Sequence, residues 1–117
     1  MKFCLLMQET PRLFSERGSA KNPNAYWSAW NAYIGAIHQA GIVEGGSGLE
    51  APTTATTVRV RDGARQVQDG PFADTKEQLG GFFIINVPDL ETALEWAARS
   101  PAATDGSVEV RPVLVME

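Results

Sequence analysis

Two short runs concentrate chemistry in this chain: Asp69-Gly70-Pro71-Phe72 and, just beyond, Thr75-Lys76-Glu77. An aspartate before Gly-Pro is held by local hydrogen bonds and stiffened by the proline. Asp69 can therefore present a carboxylate at a pocket edge with Phe72 beside it, although the same residue types are ordinary turn formers. Thr75, Lys76 and Glu77 supply a hydroxyl, a cation and a carboxylate within three residues. Such a set binds an anion or shuttles a proton where it converges, and is otherwise solvated. His38 is the single histidine. Imidazole titrates at about 6.5, which suits a general base, but a histidine at the edge of a helical stripe is more often held structurally. Glu44 is a further titratable group for a pocket. Trp27 and Trp30 either line an aromatic ligand site or form plain core. Gly45-Gly46-Ser47-Gly48 lacks the spacing and the following helix of a phosphate loop. One cysteine, Cys4, and one histidine make neither a disulfide nor a zinc set, so no metal and no cofactor are expected.

The elements that must position these groups follow from periodicity. Residues 2 to 8 alternate Phe3, Leu5 and Met7 against Cys4 and Leu6, a strand apolar on both faces. Residues 9 to 22, with mixed charges, Pro11 and Gly18, read as a long surface loop of the kind that forms lids. Asn22-Pro23 reads as the start of a helix over 23 to 40, with Tyr26, Trp27, Trp30, Tyr33, Ile34 and Ile37 on its stripe and Gly41 as its left-handed end. A glycine-loosened strand follows over 42 to 52. Asp62-Gly63 then sets a two-residue hairpin that pairs Val60 with Arg65 and Val58 with Val67. Arg59 and Arg61 alternate away from the valines and give that hairpin one wet or polar-facing side. Residues 80 to 87, GGFFIINV, form a central strand covered on both faces, Pro88-Asp89 caps a second helix that Ser100-Pro101 stops, and residues 107 to 116 are the last strand.

This order is an α+β, ferredoxin-like β-α-β-β-α-β pattern with an inserted hairpin, in one domain over residues 1 to 117. Two helices cover one sheet face. Strands apolar on both faces therefore call for a second cover, and the simplest is a second copy of the same sheet, a face-to-face homodimer. With 10 Lys and Arg against 14 Asp and Glu, the net charge of -4 argues against direct nucleic-acid binding and against anionic surfaces. The opening apolar run, about five residues, is too short for a signal-peptide core or a membrane span. A cytoplasmic location is expected.

Asp69-Gly70-Pro71-Phe72, followed by Ala73-Asp74-Thr75-Lys76-Glu77 and Gly80-Gly81, resembles the signature of the DGPF family within the YCII-related proteins. Thr56-Thr57-Val58-Arg59 and Ser107 to Pro112 extend the likeness over about residues 41 to 113. The resemblance implies a dimeric α/β-barrel fold, a bacterial source and a functional link to extracytoplasmic-function sigma factors. It implies no settled activity; in the broader group a histidine and an aspartate are suggested as a catalytic pair, and this chain's histidine falls late in its first long helix. Two functions compete. One is a dimeric small-molecule-binding or regulatory module. The other is a small-molecule enzyme of lyase or isomerase type with a carboxylate-based acid/base site, for which Asp69, Lys76, Glu77 and His38 are the candidates. Trp27, Trp30, Glu44, Phe72 and Thr75 are then the candidate ligand contacts.

Overall fold

The computed structural model describes residues 1–18, 24–71 and 76–116. Strand β1 (Lys2–Glu9) is followed by helices α1 (Pro11–Glu16) and α2 (Ala25–Gln39), then strands β2 (Val43–Gly48), β3 (Thr56–Arg61), β4 (Ala64–Asp69) and β5 (Gln78–Asn86). Helices α3 (Leu90–Ala98) and α4 (Ala102–Asp105) lead to β6 (Ser107–Pro112). Four strands make an antiparallel sheet in the order β2-β5-β1-β6, while β3 and β4 pair only with each other. The doubly apolar strands β1 and β5 take the centre, as their composition requires. None of the described helices is long and apolar enough to cross a membrane.

One sheet face carries Phe3, Leu5, Met7, Ile85 and Val87, all buried beneath Trp30, Tyr33 and Ile37 of α2 and Ala93 and Ala97 of α3. Helices α1, α2 and α3 begin where a side chain can accept an otherwise unpartnered backbone N–H. The Asn24 side chain accepts from Trp27 N at 3.0 Å, and Asp89 Oδ1 accepts from Thr92 N at 2.9 Å. The helix α2 is thus capped by Asn24; Asn22-Pro23 lies outside the described residues. Gly41 closes the helix at φ +73° as expected. Ile34, expected on the apolar stripe, is 37% exposed.

The stretch read as a loop over 9 to 22 is different. Glu9 is the last residue of β1, and Pro11–Glu16 is helical. Thr10 supplies the cap, with its Oγ1 accepting from Leu13 N at 3.3 Å, and Pro11 occupies the first turn, where its missing N–H costs nothing. The last strand stops at Pro112, short of residue 116, and Leu114, Val115 and Met116 are exposed.

The β3–β4 register is the expected one, with Val60 opposite Arg65 and Val58 opposite Val67. Its wetter side is the valine side. Val58, Val60 and Val67 are exposed while Thr57 and Arg59 are half-buried, and Thr57 Oγ1 donates to Gly70 O at 2.8 Å across the base of the hairpin. Asp62 and Gly63 have φ of 51° and 75°, the pair of left-handed residues of a type I′ turn. A Cβ at Gly63 would meet nothing within 4 Å, so Gly63→Ala changes backbone strain alone. The expected cost is on the order of 1 kcal/mol, confined to the hairpin. It is read as faster amide exchange in β3 and β4 with protection in β1 unchanged; equal protection in the variant would show that the turn is not left-handed.

Candidate functional site

The site begins with the alternation of β1. Phe3, Leu5 and Met7 face the helices, so position 9 does too, and the residue there is a glutamate only 1% exposed. A buried carboxylate needs partners, and three elements supply them. Arg17, just past α1, donates from Nη2 to Glu9 Oε1 at 2.7 Å. Tyr26, in the first turn of α2, donates its hydroxyl to Oε2 at 2.7 Å, with Oε1 at 3.0 Å. Arg17 Nε in turn donates to the Tyr26 hydroxyl at 3.1 Å.

The guanidinium is held on further sides. Its Nη1 donates to Leu49 O, its Nη2 also reaches Gly80 O at 3.2 Å, and its plane lies 4.7 Å from the Phe14 ring centre. The Arg17 carbonyl accepts from the Trp27 indole at 2.6 Å. Space for this cluster comes from a bulge in β5. A Cβ on Gly80 would sit 2.5 Å from Glu9 Oε1 and 2.9 Å from Arg17 Nη2, so a larger residue would occupy the ion pair's own volume. Burial works against the charge of Arg17, yet the hydrogen bonds to Glu9 and Tyr26 outweigh it and raise its pKa. Burial also pushes the Tyr26 phenol up to about 12, helped by the hydrogen bond to the carboxylate, which keeps it a donor.

This cluster closes one end of a cavity of about 780 Å³ between α2 and the β5–β2 half of the sheet. Helix α2 contributes Tyr26, Trp27, Trp30, Ile34 and His38, the sheet contributes Met7, Gly81 and Phe83, and the opposite wall runs from Gly46 to Ala51. That wall approaches closely because Gly46, at φ +143°, brings its α-carbon against the Phe82 carbonyl, where a Cβ would be 2.4 Å away. The ring of His38 stands 6.5 Å from that of Phe83, in an edge-to-face arrangement. The buried Nε1 of Trp30 has no partner among the described residues.

Trp27, Trp30 and His38 are therefore brought together at one cavity. Asp69, Lys76, Glu77 and Glu44 are not among its lining residues. Asp69 ends the exposed strand β4, Lys76 is exposed, and Glu77 accepts a hydrogen bond from Ser107 Oγ. Glu44 pairs with Lys2 at 2.9 Å, a contact that lowers its pKa. Phe72 and Thr75 lie outside the described residues. Glu9, Arg17 and Tyr26 were missed as a group, although a carboxylate in phase with Phe3, Leu5 and Met7 is a signal the sequence does contain. No cluster of three or more metal-ligating side chains occurs among the described residues.

The fold and the cavity define a class, a ferredoxin-like α+β domain with an aromatic pocket under its long helix. The YCII-related domain profile matches residues 1–117, and the chain belongs to that family. It is 46% identical over 67 residues to the uncharacterized protein R00369 of Rhizobium meliloti (strain 1021). That match spans 56% of this chain and 54% of the relative, so the chain covers about half the relative's length. Among solved structures it is similar to 5-chloro-2-hydroxyhydroquinone dehydrochlorinase (TftG) from Burkholderia phenoliruptrix AC1100, in complex with 2,5-dihydroxybenzoquinone. The TM-score is 0.53 at 16% identity, over 97% of this chain and 94% of that one, a likeness of fold.

The buried phenols give a direct check. The chain has two tyrosines, and Tyr33 is also raised to about 12, by burial. A folded pKa above the ordinary 10 stabilises the fold fully below pH 10, and that stability is lost as pH rises toward 12. Tyrosinate absorbance should stay flat through pH 10 and rise only near 12 or with alkaline unfolding. Ionisation of either phenol near 10 in the folded protein would show that it is not buried as described.

Proposed function

We propose that this protein is a cytoplasmic homodimer that binds a small ring compound in the cavity between α2 and the sheet. The observation that carries this reading is the cavity itself: about 780 Å³, walled by Trp27, Trp30 and Phe83 and ending on the Glu9–Arg17–Tyr26 cluster. Ligand sites are of this size and composition, mostly apolar with a few placed polar groups. Binding is favoured over acid/base chemistry because both oxygens of Glu9 are already hydrogen-bonded and Tyr26 is held protonated. The TftG complex supports the size of ligand, since its fold takes a single hydroxylated ring. The sigma-factor link implied by the family resemblance makes ligand occupancy the signal such a module would report.

Three tryptophans make the reading testable, because Trp27 and Trp30 line the cavity and Trp96 does not. A ligand from a panel of small ring compounds should quench indole fluorescence and raise the melting temperature by mass action. The response should fall in Trp27→Phe and Trp30→Phe and persist in Trp96→Phe. Quenching that survives in the Trp27→Phe, Trp30→Phe double variant would place the ligand elsewhere, and a silent panel would count against binding altogether.

A second reading rests on His38, which is exposed yet lines the cavity and faces Phe83. In it the imidazole exchanges a proton with the bound ring, as an enzyme of lyase or isomerase type requires. His38→Gln should then abolish turnover while leaving fluorescence quenching intact.

The homodimer rests on the other sheet face. Cys4 and Leu6 of β1 lie opposite Ile84 and Phe82 of β5, all half-buried, and β6 flanks them with Glu109 and Arg111. An apolar centre with charged edges is the anatomy of an interface. Sedimentation at micromolar concentration should give twice the chain mass, and Leu6→Asp should give the monomer with its fold retained. Wild-type protein that stays monomeric would sink the dimer.

A further inference from the structure

We infer that the cavity selects uncharged hydroxylated aromatic rings and rejects aromatic carboxylates, an inference that rests on the ligand-binding reading above. The basis is a count of donors, acceptors and charges at its closed end. Arg17 is the one lysine or arginine among the described lining residues. Its N–H groups are nearly all committed: Nε to Tyr26, Nη1 to the Leu49 carbonyl, and Nη2 to both Glu9 and the Gly80 carbonyl. A guanidinium has five such donors in a fixed fork, so it has no free edge to form the paired hydrogen bonds by which arginine recognises a carboxylate. The negative side is heavier, since Glu9 and Glu50 both line the cavity.

A carboxylate on an entering ring would therefore lose its hydration, find no unspent lysine or arginine among the described lining residues, and sit among like charges, which is the costly way to bury an ion. A hydroxyl meets the opposite conditions. Glu9 accepts from Arg17 and Tyr26, but a carboxylate offers about four lone-pair sites, so acceptor capacity remains at the edge of Oε2. Tyr26 does not compete for that role, because its own proton is directed at Glu9. The ring itself gains from the indoles of Trp27 and Trp30 and from Phe83, whose faces attract a flat, polarisable partner without requiring charge. Selection thus comes from what the cluster withholds as much as from what it offers.

The test compares matched pairs that differ only by the carboxylate: hydroquinone with gentisate, and catechol with protocatechuate. Binding is measured by tryptophan quenching and by calorimetry at pH 8, below the ordinary pKa of a phenol, about 10. The uncharged member of each pair should bind at least about tenfold more tightly. In Glu9→Gln the counter-charge of Arg17 is gone, so the carboxylates should gain on their uncharged partners and narrow that ratio by about tenfold. The wild-type comparison stands alone should the variant fail to fold. Carboxylates that bind wild type as tightly as their partners overturn the inference while leaving the ligand site standing. If neither member of either pair binds, the inference is overturned for these rings; if the wider ring panel is silent as well, the ligand-binding reading fails with it.

Discussion

A single buried ion pair ties together the parts of this domain that sequence separates most. Glu9 closes β1, Arg17 follows α1, Tyr26 opens α2, and the carbonyls of Leu49 and Gly80 come from the strap after β2 and from β5. Burying a carboxylate is unfavourable unless charge and hydrogen bonds compensate it, so each of these segments is held where its donor or acceptor is needed. The consequence is asymmetric. The cluster adds little to stability over a well-packed apolar core, yet removal of one partner leaves a buried charge exposed to the full penalty, of about 3–5 kcal/mol. That asymmetry fixes α1 and the start of α2 against the ends of the central strands β1 and β5.

The glycines beside it set what else can be there. Gly80 sits at the β5 bulge and leaves the volume that Glu9 and Arg17 fill, and Gly46 lets β2 come against the Phe82 carbonyl. Two backbone approaches thus create both the ion pair and the cavity next to it. The remaining wall is aromatic because α2 presents Tyr26, Trp27 and Trp30 within two turns, their rings meeting edge to face or tilted. Packed rings of this kind resist collapse into the cavity.

Local signals were the legible ones. The Asp62-Gly63 turn and its register, the left-handed end of α2 at Gly41, the apolar centre of β5 and the tryptophan stripe all follow from contacts within a few residues. Helix α1 was hidden because Pro11 was taken as a breaker when, behind Thr10, it starts a helix. Glu9 was hidden because a charge appeared to end the alternation it in fact continues. Arg17 is eight residues from Glu9 in sequence and Gly80 sixty-three from Arg17, separations over which no periodicity reports. Charge density along Asp69 to Glu77 drew attention for the opposite reason: closeness in sequence does not bring side chains to one point, and Asp69 ends a fully exposed β4.

The two faces of the sheet divide the work between neighbouring residues of one strand. Along β5, Phe83 and Ile85 turn toward α2 and the cavity, while Phe82 and Ile84 pair with Leu6 and Cys4 on the uncovered side. Burial of the Cys4 thiol raises its pKa, which keeps that centre uncharged beside Glu109 and Arg111 of β6, which pair with each other. In the proposed homodimer a copy of the same face would cover that centre, with Glu109 and Arg111 of β6 at its border. Strand β5 then belongs to both surfaces at once. Its backbone carries the wall of the pocket on one side and the apolar centre of the uncovered face on the other, so the same closely packed residues that shape the cavity also fix the surface that the proposed homodimer would use.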